Sequence, residues 1–423
     1  MTSTTASVAG KSPKPTKFAV ASWALYDLAN TVFSMNITSL YLPLWVVNTM
    51  GGSDADYGNA ASLSMLMIFL SAPILGALSD RAGRRMPFLA IVTVLCIAFT
   101  AMLGLGGLTT SMIIFIIANY MFQAGLIFYD ALLPVVSTEE NRGKISGLGV
   151  GLGYVGSFIG VVSGLLLLDQ IGSVGIFRVS AILFLVFALP CFFFVKERST
   201  TAFRFRTKMI TEAFAQVRHT IANARGFPGL VRFLIGRMFY TEPVNTLIIF
   251  MGIFVSNEVG FSANEVQILL LVSIKAAVIG GFVFGPIVDN IGPKRTLNCV
   301  LIMWMVVLSG AMTVAVFDLP GILFWGIGCI AGVALGGTWT ADRLYLMRLA
   351  PPKYLGEFYG LFRMAGRFAS IIGPLTWGLI TTTLGFGRPV AVFVLLLFVV
   401  ISYIVLQGVD DKKRDWPAEL KVE

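Results

Sequence analysis

Asp27, Asp130, Arg237, Glu242, Lys275, Asp342, Arg343, Arg363 and Arg367 all fall within long apolar stretches of a 423-residue chain. A charged side chain at the centre of a bilayer costs at least ~2.5–3.5 kcal/mol on insertion scales, so each needs a reason to be there. Carboxylates in such places can carry a proton or a cation. Guanidinium and ammonium groups can hold a carboxylate. Counting ~1.5 Å of rise per residue from the middle of each stretch sorts the groups by depth. Glu242 and Lys275 come out near the midplane, with Arg367 slightly below it. Asp27, Asp130, Arg237, Asp342, Arg343 and Arg363 come out ~8–14 Å toward one face by the same rise.

The midplane group suits binding of a solute or an ion. Glu242 and Lys275 are expected to pair. The pair either exchanges a proton for an anionic cargo or is simply structural. The deeper layer suits a gate: Asp27 and Asp130 can bridge Arg343 and Arg363, or can touch substrate directly. Uncharged polar residues accompany both layers, among them Asn30, Gln123, Asn245 and Trp339. Each is equally able to glue helices together.

These groups need a scaffold, and composition says which kind. Hydrophobic residues make up 57% of the chain and charged residues 13%, about half the charge of a soluble domain. The solvent for such a surface is lipid. The net charge of +9 does not indicate nucleic acid, because the basic residues are spread through short loops between apolar runs. Cys96, Cys191, Cys299 and Cys329 lie in apolar runs without metal-ligand spacing and are expected to be buried free thiols. His219, the single histidine, lies between apolar runs, which excludes a histidine relay within the membrane. No metal or cofactor site is expected.

Twelve apolar segments of membrane-spanning length follow. The first six are 20–47, 57–79, 87–108, 112–135, 145–168 and 174–195. The second six are 231–256, 264–288, 295–316, 321–346, 357–381 and 388–408. The expected class is therefore an all-α membrane protein, with bundles at 20–195 and 231–408. Residues 1–19 read as a disordered tail and 409–423 as a second tail. The polar connection 196–230 reads as helices lying on the membrane surface, from the spacing of Phe203, Phe205, Ile210, Phe214 and Val217, or else as a flexible basic linker. With both termini on one side, that side receives most of the 31 Lys and Arg. The other receives Arg178 and Arg388. The basic side is the cytosol, and the cell membrane is the expected location.

The halves echo one another. "GALSDRAGRR" (76–85) follows the second segment and "GPIVDNIGPKR" (285–295) follows the eighth. Each has Gly, then Asp four positions on, then Gly three further, then a basic group. "RGKISGLGVGLGYVG" (142–156) and "LGEFYGLFRMAGRFA" (355–369) repeat at nearly the same offset, which indicates a duplicated six-helix unit. In each knot the glycines let helices approach closely, while Asp80 and Asp289 can face the positive N-terminus of a neighbouring helix. Arg84 supplies a basic partner. Asp130 and Arg343 stand at matching places with opposite charge, as a latch between halves requires. The ladder Gly147, Gly151, Gly156, Gly160, Gly164 reads as helix packing.

The "GxxxDRxGRR" loop resembles the signature of the major facilitator superfamily. "WALYDLANTVFS" (23–34), "FYDALLP" (128–134), "SGLGVGLGYVG" (146–156) and "GGTWTADRLYLMRLAPPKYLGEFYGLF" (336–362) are similar to the vacuole-effluxer-like family, whose fungal members are linked to amino-acid export. The chain has Asp342-Arg343 where members tend to have Ser-Arg. The glycoside–pentoside–hexuronide cation symporters share a similar loop. The resemblance implies two pseudo-symmetric bundles that rock about a central cavity, as a monomer.

No nucleotide-binding loop appears, so an ion or solute gradient is the expected energy source. The reading is a proton-coupled secondary transporter, not an enzyme, that moves a small carboxylate-bearing or zwitterionic solute such as an amino acid. A cation-coupled sugar symporter, an exporter of lipids or amphipathic solutes, and a non-transporting receptor are the alternatives. Asp27, Asn30, Gln123, Glu242, Lys275, Trp339 and Arg367 are the candidate binding residues. Asp80, Arg84, Asp130, Arg237, Asp289, Asp342, Arg343 and Arg363 are the candidate gate.

Overall fold

The first span is not one continuous α-helix. Lys17–Phe33 passes through a π-helical stretch, Ser34–Tyr41, into Leu42–Asn48. The wider turn places buried Asn36 where its amide donates to Ser180 Oγ (2.9 Å) and Ser163 Oγ (3.3 Å). Such local rewinding allows a polar side chain to be satisfied inside an apolar bundle. The computed structural model describes residues 15–52, 54–197, 208–222 and 227–420.

The second to fourth spans are Asp54–Arg81, Met86–Met102 and Leu108–Ala131. Arg142–Phe194 holds the fifth and sixth, which part at Gly172, where φ is 65°. The second half follows with Leu230–Glu258, Ala263–Ile291, Pro293–Val316, Ile322–Leu349, Leu355–Gly378 and Arg388–Gln407. Among the described residues there is no strand. The result is twelve membrane helices in two six-helix bundles.

Eight of these helices are long and apolar enough to cross a membrane on length and composition alone. The other four are the first, third, seventh and eleventh. The first is divided by its π-helical turn, and the third has 17 residues. The seventh and eleventh carry the buried charges that make them unusual.

The helix starting at Lys17 shortens the expected tail 1–19, of which residues 1–14 lie outside the described residues. Between the halves runs one amphipathic helix, Lys208–Ala222. Its Ala213 and Val217 pack on Ile74, Ala77 and Leu78 of the second span. Phe203 and Phe205 lie outside the described residues. The cysteines are free thiols, but only Cys96 and Cys191 are buried. Cys299 is exposed and Cys329 half-buried, because each lies on the outer side of its helix where lipid takes the place of a core.

The bundles meet along two crossings. The eighth span packs on the fifth, and the eleventh on the second. Both are built on glycine, because a Cβ at Gly147 or Gly281 would collide with backbone of the facing helix, as would one at Gly356 or Gly360. Backbones at this distance gain packing contacts that lipid cannot replace. The glycine ladder of the fifth span divides its work: Gly147 and Gly151 face the other half, while Gly156, Gly160 and Gly164 face Leu28, Asn36 and Tyr41 of the first span.

Candidate functional site

The face that carries the termini and the connecting helix is closed by the two sequence knots. Asp80, at the end of the second span, accepts the backbone N–H of Gly356 (3.0 Å) and of Glu357 (2.8 Å) with its two carboxylate oxygens. Those amides are the first turn of the eleventh span, whose donors have no partner within their own helix. Asp289, at the end of the eighth span, does the same for the fifth: Gly143 N–H at 2.6 Å and Lys144 N–H at 2.9 Å. Each carboxylate thus caps a helix of the opposite half and gains from the positive end of its dipole.

The bracing of the knots differs. Arg85 Nη2 reaches Asp80 at 2.8 Å, so the cation on that carboxylate is Arg85, with the expected Arg84 beside it in the turn. Glu357 is itself fully buried and accepts Gln216 Nε2 of the connecting helix at 2.6 Å. No cation lies within 4.0 Å of Asp289 among the described residues. Its turn is tied instead to the C-terminal segment, through Lys294 N–H to Asp411 Oδ2 at 3.0 Å.

One layer deeper the halves are joined by side chains. Asp130 is fully buried and takes both Arg363, in a direct ion pair, and Arg343 Nε at 3.4 Å. Arg343 Nη2 lies 3.5 Å from Asp27. First-half acids therefore meet second-half arginines. Arg237 and Asp342, expected in the same gate, pair with each other within the second half at 3.4 Å. Arg237 is held further by Thr241 Oγ1 at 2.8 Å and lies 3.5 Å over the Phe362 ring, a cation–π contact that suits a guanidinium removed from water.

Above this latch is a cavity of about 250 Å³. Its charged lining is Arg237, Asp342, Arg343, Arg363 and Arg367, all from the second half. Thr241, Asn245 and Trp339 add polar edges, and Leu126 is the first half's contribution. Arg367 differs from the other arginines. Its Nη2 donates to the neutral amide oxygen of Gln123, and no carboxylate lies within 4.0 Å of it among the described residues.

The candidate binding residues are thus dispersed. Trp339 and Arg367 line the cavity, and Gln123 touches it through Arg367. Asp27 belongs to the latch. Asn30 is buried with neither side-chain polar atom bonded. The expected Glu242–Lys275 pair does not form. Glu242 is 2% exposed; one oxygen accepts Thr246 Oγ1 at 3.1 Å and the other has no partner. Lys275 is exposed on the eighth span. Equal depth on consecutive helices did not place the two on facing sides: Glu242 points at Gly373 of the eleventh span. Thr241, Gln216 and Glu357 were not singled out from sequence. Thr241 follows Arg237 by one helical turn and Glu357 opens a helix beside a repeated motif, but neither signal is distinctive alone.

Comparison with known proteins agrees with this architecture. A bacterial homologue of the iron transporter ferroportin, solved in an outward-facing state, superposes with a TM-score of 0.73 over 93% of this chain and 99% of that one, at 17% identity. The proton:xylose symporter XylE gives 0.70 over 92% and 94%, at 14% identity. These show the major facilitator fold. An uncharacterized MFS-type transporter of Bacillus subtilis, YxiO, is 26% identical, covering 92% of this chain and 94% of its own. Autophagy-related protein 22-1 of Neosartorya fischeri is 23% identical over 67% of this chain, which spans about half of that longer protein. The family described as vacuole effluxer Atg22 like matches residues 57–415, and this chain, a membrane transporter of the major facilitator type, belongs to it.

Proposed function

We propose that this transporter moves a small solute bearing a carboxylate, such as an amino acid, by alternating access coupled to protons. The observation that carries the reading is Arg367. Three cavity arginines have carboxylate partners, while Arg367 has only an amide. A cargo carboxylate can displace Gln123 from it without breaking an ion pair, and gains a charge-assisted, two-pronged contact. Asn245 and Trp339 stand beside it to orient the rest of the solute.

Glu242 is the proposed proton carrier. A buried carboxyl group with no cation within 4.0 Å among the described residues can accept and release a proton without disturbing the latch. Asp27 and Asp130 are less suited, since each is already held by arginine. The face bearing the knots is taken as cytosolic and the cell membrane as the location, because the basic loops collect on that face. On this reading the structure is the state closed to the cytosol, and the knots and latch are the contacts released as the bundles rock.

Flux in proteoliposomes under an imposed pH gradient, with a mixture of labelled amino acids, tests the reading. Wild type accumulates label, Arg367→Gln loses binding, and Glu242→Gln keeps exchange but loses the pH drive. Saturable uptake of a neutral sugar but of no carboxylate would overturn the cargo class. Unchanged pH dependence in Glu242→Gln would overturn the proton site.

A further inference from the structure

Away from the central cavity, a crevice of about 470 Å³ opens on the side of the molecule. Phe69, Leu70, Pro73 and Ile74 of the second span form one wall. Phe214, Val217 and Arg218 of the connecting helix form another, and Met364 of the eleventh span closes it. It shares no residue with the cavity above the latch. Apolar side chains line it throughout, and Leu70 (64%) and Phe214 (54%) are left open at its mouth. Arg218 is its one ionisable lining residue. That side chain is exposed and has no carboxylate within 4.0 Å among the described residues, unlike Arg81 and Lys208 nearby, which both reach Glu212.

We infer that this crevice binds one anionic phospholipid, with an acyl chain between the second and eleventh spans and the headgroup phosphate on Arg218. The occupant follows from the chemistry. A long apolar slot opening sideways from two membrane helices takes a hydrocarbon chain. A lone guanidinium at its rim, on an amphipathic helix, takes a phosphate. A zwitterionic lipid offers the same phosphate with its own cation attached, so the anionic class is preferred.

The site also reads conformation. Its walls come from both halves, and its floor is the crossing where Gly360 meets Ala72 and Pro73. The connecting helix that carries Arg218 is fastened to that crossing by the Gln216–Glu357 bond. Separation of the second and eleventh spans takes the slot apart. A ligand that binds one arrangement and not the other shifts the population toward it, so the lipid favours the arrangement in which the knots are closed.

Native mass spectrometry of the detergent-purified full chain, given equal phosphatidylglycerol and phosphatidylcholine, tests the site without reference to cargo. Wild type retains phosphatidylglycerol about fivefold over phosphatidylcholine, the worth of one basic contact, and melts at a higher temperature with it. Arg218→Gln loses both the preference and the shift. Lys208→Gln, on the same helix outside the crevice, keeps both. Leu70→Trp, at the exposed mouth, lowers retention of either lipid. Preference persisting in Arg218→Gln, or lost equally in Lys208→Gln, would overturn the site in favour of general surface attraction. Glycerol phosphate alone raising the melting temperature as much as the lipid would overturn the acyl-chain assignment.

Discussion

Asp80 and Asp289 act alike in the two halves, whereas Asp130 and Arg343, also at equivalent positions of the repeat, carry opposite charges and bind each other. The difference lies in what each residue recognises. At the knots the partner is the N-terminus of a helix, which is positive whatever the side chains are. The same acid therefore works in both halves. In the latch the partner is a side chain of the other half, and two copies of one acid would repel. A duplicated unit can keep its knots but must break symmetry where its copies touch by side chains. The consequence is a polarised interior. Acids come from the first half, arginines from the second, and the cavity above is lined with charge from the second half alone.

The latch is where this contrast can be broken most severely. Arg343→Leu leaves Asp27 without its cation and Asp130 with Arg363 only. Removing one partner of a buried pair costs about 3–5 kcal/mol, so the melting temperature should fall by many degrees. The pair Asp130→Asn with Arg343→Leu should recover part of that loss. A double mutant no better than the single would mean that the latch is not held by charge.

Next come the knots. Asp80→Asn and Asp289→Asn each remove a charged acceptor from two backbone donors, worth about 1.5–3 kcal/mol per charged hydrogen bond. Asp80→Asn should cost more, because it also strands Arg85. The readout is labelling of a cysteine placed on the knot-bearing face, where 1.4 kcal/mol is tenfold in the equilibrium. Equal effects would show that the bracing by Arg85 contributes nothing.

The glycine crossings should be symmetric. Gly281→Ala and Gly360→Ala both set a methyl group against facing backbone, at about 1–3 kcal/mol each. A large difference in their labelling would show that one crossing opens before the other.

The smallest effect is at the edge. Lys413 of the C-terminal segment meets Glu139 of the first half at 2.6 Å, and this hydrogen bond lowers the Glu139 pKa from its usual value. A lowered folded-state value means the contribution is present above the ordinary carboxylate range and is lost as pH falls below it. Both side chains are more than half exposed, so Lys413→Ala should change stability by under about 1 kcal/mol, less at high salt. A larger change confined to low salt would mark this contact as a third fastening between the halves.

The sequence by itself determined the number of spans, the duplication and the knots. Those follow from local quantities: length of apolar runs, spacing of Gly and Asp, and the polarity of a helix end. The charged residues were legible as unusual for the same reason, since any charge in an apolar run stands out. Which of them meet was decided only by tertiary structure. Glu242 and Lys275 share a depth, yet helix rotation turns one toward Gly373 and leaves the other exposed. Arg237 and Asp342, grouped by depth with the residues between the halves, found each other instead. Depth along a helix is set by counting residues. The direction a side chain faces is set by the packing of twelve helices, and a shift of one residue turns it by about 100°.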